Sequence, residues 1–151
     1  MRTGVRHLAQ DLLADFVAVH SALHGHGWCR CVAWWVPVWD GWGDRTAEEN
    51  LALRDDLLAR GEYDGYLLYV DDEPAGWCQV GPRDRLPKLV AEHDLTADPA
   101  AWAVSCLLLV PSARGRGLAR ALLAGVVADL RARGVRRLET FPRNGDGLTA
   151  G

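Results

Sequence analysis

Polar and apolar residues alternate along G-V-R-H-L at residues 4–8, the period of a half-buried strand. Over residues 11–20 the spacing lengthens, and Leu12, Leu13, Phe16, Val17 and Val19 fall at helical intervals. An aromatic stretch follows at 28–43, W-C-R-C-V-A-W-W-V-P-V-W-D-G-W-G, which holds five of the seven tryptophans. It has no clean period, and its glycines and proline predict a loop or broken helix. Thr46-Ala47-Glu48-Glu49 is a capping box that opens a helix carrying Leu51, Leu53, Leu57 and Leu58 and stopping at Gly61. The runs G-Y-L-L-Y-V (65–70) and A-G-W-C-Q-V (75–80) flank D-D-E-P and read as a hairpin. Residues 81–99 are polar and broken by Pro82, Pro87 and Pro99, which predicts an exposed connection of lid or binding-loop length. W-A-V-S-C-L-L-L-V (102–110) reads as a buried strand. A strongly amphipathic helix over 117–133 (Leu118, Ala121, Leu122, Val126, Val127, Leu130) is closed by Gly134, with Arg131 and Arg133 at its cation-favouring end. Residues 135–141 form a last strand, and N-G-D-G-L-T-A-G ends the chain in turn residues.

The order is therefore β-α-α-β-β-β-α-β, with one strand–helix–strand crossover near the end. It predicts a single α/β (α+β) domain over residues 1–151, with a mixed, mostly antiparallel central sheet flanked by helices and its last two strands parallel. No repeat or linker interrupts it.

Composition narrows the function classes. The 151 residues are 49% hydrophobic and 25% charged, with a formal net charge of −3. That balance offers no surface for a polyanion, so anion binding has to be local. No apolar run approaches the roughly 20 residues of a membrane span, and the amino terminus lacks the apolar core of a secretory signal. A cytoplasmic protein with no membrane partner is expected. Lys88 is the sole lysine against sixteen arginines, and isoleucine is absent, a usage typical of GC-rich bacterial genomes. Cys29, Cys31, Cys78 and Cys106 lack zinc-ribbon spacing and are expected to be reduced structural thiols, with no metal. His20 and His24 would share a helix face. Without carboxylates at matching spacing they and His26 are expected to be solvated or capping.

The chemistry concentrates at V-P-S-A-R-G-R-G-L-A-R-A-L-L-A-G-V, residues 110–126. A strand that turns through glycines into a helix presents free backbone amides at a positive dipole end, a site suited to phosphate. Gly115 and Gly117 let a ligand approach the backbone, and Arg114, Arg116 and Arg120 add guanidinium forks. The P-loop is excluded because it requires a lysine that is missing here. The dinucleotide fingerprint fits poorly, since Arg120 takes its third glycine position and the pattern falls late in the chain. The plain alternative is a glycine-rich turn with solvated arginines.

Arg114-Gly115-Arg116-Gly117-Leu118-Ala119 resembles the R/Q-x-x-G-x-G/A signature of the GNAT superfamily of acetyl-CoA-dependent N-acyltransferases. The preceding L-L-V-P, the following A-L-L and the upstream element order also fit, so the resemblance covers roughly residues 1–142. It implies a GNAT-like fold and transfer of an acetyl group from acetyl-CoA to a primary amine by direct attack in a ternary complex. It implies that amides of Arg114, Gly115, Arg116, Gly117, Leu118 and Ala119 hold the coenzyme A pyrophosphate, with Arg120 near a phosphate. The main chain of Leu107, Leu108 and Leu109 would pair with pantetheine, and the Leu109 amide would polarise the thioester carbonyl. Glu139, on the strand beside the implied cleft, is the first candidate base; an ion pair with Arg137 or a neighbour is the competing role. Asp40 and Asp44 are weaker candidates. Cys106 is expected to be a small core residue and not an acyl carrier.

The resemblance also places the acceptor site in the aromatic stretch, where Trp35 and Trp39 would wall an amine and Asp40 would pair with its ammonium. The acceptor is expected to be a small-molecule or peptide amine. The family adds a helix and two strands after 135–141, with an acidic tyrosine among them. Tyr63, Tyr66 and Tyr69 cluster instead around the second strand. The chain is therefore expected to be C-terminally incomplete, or else to cover its last strand with a second subunit as a homodimer. A non-catalytic coenzyme A sensor is the rival reading. An RNA surface on Arg131, Arg133, Arg136 and Arg137 fits poorly with an acidic chain, and no nucleic-acid partner is expected.

Overall fold

A computed structural model describes residues 1–25 and 27–142; His26 and the turn-rich stretch N-G-D-G-L-T-A-G lie outside the described residues. The elements run β1 (Thr3–His7), α1 (Leu13–Ser21, entered through a 3-10 turn at Gln10–Leu12), α2 (Ala47–Ala59), β2 (Asp64–Val70), β3 (Glu73–Pro82), α3 (Pro87–Glu92), β4 (Ala101–Leu109), α4 (Leu118–Ala132) and β5 (Arg137–Thr140). The five strands form one sheet in chain order, antiparallel throughout except for the parallel β4–β5 pair. This is the mixed, mostly antiparallel arrangement expected from the pattern.

Local chemistry explains most boundaries. The Thr46 hydroxyl accepts from the Glu49 amide at 3.1 Å, so the Thr46 half of the capping box opens α2. Asp71 and Asp72 turn the β2–β3 hairpin at φ +49 and +68, the paired left-handed geometry that a two-residue turn requires. One expectation fails. Residues 81–99 are not wholly an exposed connection, because Pro87 opens α3, and Leu86 and Leu89 are each 1% exposed. A proline at the first helical position gives up no helical hydrogen bond, so here it starts a helix where the sequence reading saw a breaker.

The sheet buries both faces. On one, Leu118, Leu122, Val126 and Leu130 form the buried stripe of α4. Gly125 lets this helix rest on β1, since a Cβ there would lie 2.6 Å from Val5 Cγ2. On the other, Phe16 of α1 meets the fully buried Trp77 of β3 edge-on at 4.9 Å, and Tyr63 stacks on the same indole at 6.0 Å.

His20 departs from the solvated role expected of it. It is 1% exposed and stacks on Phe16 at 3.9 Å. Its Nδ1–H donates to the Phe16 carbonyl at 2.8 Å, which leaves Nε2 unprotonated 3.3 Å from the Cys31 sulfur. His24 is exposed.

Two outcomes follow from this packing. Gly125→Ala should lower stability by about 1–2 kcal/mol in urea unfolding, reversing the roughly 1 kcal/mol that alanine gains over glycine in an open helix. Burial lowers the His20 pKa from 6.5 to about 4, so between those values the unfolded chain binds the extra proton. Stability should be intact above about pH 6.5 and fall by about 3 kcal/mol as pH drops to about 4. His20→Gln should flatten that slope in unfolding curves recorded across the window.

Candidate active site

β4 and β5 run together for only four residues, Ala101↔Arg137 to Val104↔Thr140, and then part. Two features end the pairing. The register between β3 and β4 shifts at Gln79/Val80, leaving Ser105 as an extra residue in β4, and such a bulge bends its strand. Past Thr140, Pro142 has no amide to continue a ladder. The Val110 amide donates to the Ala75 carbonyl at 2.9 Å, toward β3. Alternation along the strand then turns the main-chain groups of Leu107 and Leu109 to the opposite, unpaired edge. The Arg114 Nε–H, 3.2 Å from the Leu109 carbonyl, approaches from that side.

The glycine-and-arginine corner follows directly. Gly115 and Gly117 have φ +71 and +74, values that L-residues avoid, and Gly117 is the N-cap of α4. Among the described residues, no protein acceptor is found for the amides of residues 115–119, whereas the Arg120 amide is already bonded to the Gly117 carbonyl. Five consecutive donors at a helix start form a cradle for an anion. The side chains of Arg114, Arg116 and Arg120 are exposed around it, Arg116 lying 2.8 Å from the Met1 sulfur.

Two clefts meet where the strands part, sharing Val104, Ser105, Phe141 and Pro142. The smaller, about 280 Å³, lies on the α4 side against Leu107, Leu123 and Thr140. The larger, about 650 Å³, is walled by Trp34, Trp39, Trp42, Leu89, Glu92, His93 and Cys29. Trp34 fixes the aromatic loop to the bulge, its Nε1–H donating to the Ser105 carbonyl at 3.3 Å.

The residues singled out in the sequence divide. Leu107 and Leu109 turn their main chain to the open edge and residues 115–119 keep open amides, whereas Leu108 turns toward β3 and the Arg114 and Arg120 amides are bonded to Pro111 and Gly117. Trp39 lines the larger cleft, but Trp35 turns into the core against Tyr63 at 5.5 Å, and Asp40 is exposed outside the lining. Glu139 is held by its neighbours: Arg83 Nη1 donates to both carboxylate oxygens at 2.9 Å, and Arg137 Nε approaches at 2.9 Å. Arg83 is buried and also donates to the Thr96 carbonyl. The three tyrosine hydroxyls donate to Arg30, Asp129 and Asp15, and all three are raised above the usual tyrosine range, chiefly by burial. Arg133 and Arg137 are likewise engaged, with Asp64 and Asp98. Among the described residues, no group of three or more His, Cys, Asp or Glu is arranged to hold a metal ion.

Sequence reading missed Arg83, Lys88, Glu92 and His93, which all lie in or next to α3. The spacing of Leu86 and Leu89 on either side of Pro87 was the available signal. Lys88 is 7% exposed, with its Nζ 3.3 Å over the Trp39 ring and no hydrogen-bond partner. Desolvation lowers its pKa.

Residues 28–146 match the sequence model of the acetyltransferase (GNAT) family. The chain belongs to the GNAT family. It is an acetyltransferase of that type, and the corner at 114–119 is the signature that carried the resemblance. Comparison with curated proteins finds no significant match. Solved structures share the GNAT fold at low identity. The aminoglycoside N-acetyltransferase AAC(6')-Iy, solved with the bisubstrate analogue CoA-S-monomethyl-acetylneamine, aligns at TM-score 0.63 and 16% identity, over 97% of this chain and 83% of that one. A GNAT acetyltransferase from Brucella melitensis in complex with acetyl-CoA aligns at 0.57 and 17%, over 96% and 79%. The ribosomal-protein-S18-alanine N-acetyltransferase from Escherichia coli aligns at 0.54 and 15%, over 97% and 70%. No helix among the described residues is long and apolar enough to cross a membrane.

The Arg83 arrangement is specific to a guanidinium. Arg83→Lys keeps the charge, but one ammonium cannot serve both Glu139 oxygens and the Thr96 carbonyl together. The variant should melt several degrees lower by circular dichroism.

Proposed function

We propose that this GNAT enzyme transfers an acetyl group from acetyl-CoA to a primary amine that enters through the larger, tryptophan-walled cleft, by direct attack in a ternary complex. The observation that carries this reading is the edge of β4 at Leu107 and Leu109, which no strand pairs, leading from the open amides of residues 115–119 to the cleft at Val104 and Ser105. In it, amides of residues 115–119 bind the pyrophosphate, Arg120 attends a phosphate, and the Leu107 and Leu109 main chain receives pantetheine. The Leu109 amide donates to the thioester carbonyl oxygen as charge builds there.

On the acceptor side, Trp34, Trp39 and Trp42 supply apolar walls, and Glu92 is the carboxylate positioned to meet an ammonium. The contact of Lys88 with Trp39 supports this reading, since it places a cation against one of those rings. An aminoglycoside, the class acted on by AAC(6')-Iy, and a peptide amino terminus are the acceptors to try first. With both Glu139 oxygens held by Arg83, we assign Glu139 to positioning β5 against residues 83–96 and give proton removal to Glu92 or His93. A cytoplasmic location, where acetyl-CoA is available, fits this role.

Acetyl-CoA and CoA should each raise the melting temperature, because they bind only the native state. Thiol release from acetyl-CoA should then appear with some members of an aminoglycoside, arylalkylamine and peptide panel. Gly117→Val, which forces a β-branched residue to positive φ, should raise KM for acetyl-CoA at least tenfold in a protein that remains folded. Absence of stabilisation by both CoA species would overturn the proposal.

A further inference from the structure

Three of the four cysteines gather where the aromatic loop meets β4. Cys31 Sγ lies 3.1 Å from Cys106 Sγ and 3.3 Å from His20 Nε2. Cys29 is half-buried and lines the larger cleft, where solvent reaches it. The backbone between them is unusual, with Arg30 and Cys31 at φ +47 and +54, and the Tyr63 hydroxyl holds the Arg30 carbonyl at 2.9 Å. Non-glycine residues occupy that region only when their surroundings impose it, and here it brings both thiols of C-x-C toward β4. A hydrogen bond from Cys31 brings the Cys29 thiol down to about 6, so it is largely thiolate at neutral pH. Cys31 is pushed the other way, first by its hydrogen bond with Cys106. Cys78 is fully buried, with its thiol pushed up to about 12 chiefly by burial, and serves as an internal control.

We propose that Cys29, Cys31 and Cys106 form a peroxide-responsive thiol relay that ends in a Cys31–Cys106 disulfide, stapling the aromatic loop to β4. An accessible thiolate next to a resolving thiol is the arrangement of redox-sensing cysteines. The Cys29 thiolate attacks one oxygen of hydrogen peroxide; the O–O bond breaks, hydroxide leaves and is protonated to water, and Cys29 becomes a sulfenic acid. Cys31 then attacks Cys29 Sγ, and its proton goes to the departing hydroxide. The S–O bond breaks, a second water leaves, and a Cys29–Cys31 disulfide forms. Cys106 attacks Cys31 Sγ and breaks that bond, and Cys29 returns as a thiol with the proton Cys106 gives up. In sum, two thiols and one peroxide give one disulfide and two waters. The last exchange is downhill in strain, because a disulfide across a single intervening residue is tight. Cys31 and Cys106 need only close from 3.1 Å to about 2.05 Å.

This chemistry does not depend on the acceptor amine, and its test does not read acetyl transfer. Reduced protein is treated with one equivalent of hydrogen peroxide, alkylated, digested with trypsin and mapped by mass. Cleavage after Arg6, Arg30, Arg45, Lys88 and Arg114 puts Cys29, Cys31 and Cys106 on three different peptides. The expected product joins the Cys31 and Cys106 peptides, leaves Cys29 and Cys78 alkylated, and melts several degrees higher until dithiothreitol is added. Cys29→Ser should slow cross-linking at least tenfold, and Cys106→Ser should stop the relay at Cys29–Cys31. Peroxide-treated protein that lacks the Cys31–Cys106 cross-link overturns the proposal, as does a Cys29→Ser variant that cross-links at the wild-type rate. Should either variant fail to fold, the wild-type peptide map still decides whether the disulfide forms.

Discussion

A strand in the middle of a sheet normally has both edges paired, and in this chain β4 does not. From Ser105 to Leu109 it bonds to β3 on one side and to no strand on the other. Backbone groups left unpaired are costly unless water or a ligand takes them, so the surrounding elements have to create and shelter that edge. The Ser105 bulge bends β4 away and Pro142 stops β5. The Gly115–Gly117 corner then starts α4 beside the edge, with its first amides also unpaired. The donor site we propose is thus the unfinished part of the sheet.

The opposite wall of the opening is built from side chains, at greater cost. Trp34 is anchored to the bulge through one hydrogen bond to the Ser105 carbonyl. Lys88 stands behind Trp39 with its ammonium buried and unbonded. A cation over an indole gains about 2 kcal/mol when desolvated, while removing an ammonium from water costs several. Desolvation wins, which is why the Lys88 pKa falls. Arg83 is spared most of that imbalance because Glu139 and the Thr96 carbonyl take its two terminal nitrogens, while Nε has only Asp84 at 3.7 Å. The two buried cations flank the same short stretch, 83–88, and hold α3 against β5 and the aromatic loop.

What could be read from the chain, and what could not, divides by the range of the interactions. The period of Leu118, Leu122, Val126 and Leu130, the Thr46 cap and the Asp71-Asp72 turn are set by neighbours within a few residues, and each appears where the pattern places it. The parallel β4–β5 pair follows from one crossover. Arg83 meets Glu139 across 56 residues, and nothing local marks either as a partner of the other. The same holds for His20, whose environment is completed by Cys31 and Trp77. Trp35 and Trp39 lie four apart in an aperiodic segment, so no periodicity could say which would enter the core and which the cleft. Pro87 was ambiguous for a different reason: proline both breaks helices and begins them, and only the burial of Leu86 and Leu89 decides between the two.

This division accounts for the way the family is shared. A donor site made of main-chain amides and a strand edge needs glycine at two positive-φ positions and little else of side-chain identity. The fold is shared between chains only 15–17% identical, and a donor site of this kind asks for little beyond a six-residue signature. The proposed acceptor wall depends on which of five tryptophans face inward and on contacts with α3, a helix that no signature marks. Side chains there are free to change while the donor site stays fixed. On the proposed reading, that freedom lets one fold offer its acetyl group to different amines, with the corner at Gly115 and Gly117 pointing to the donor and the cleft left to choose the acceptor.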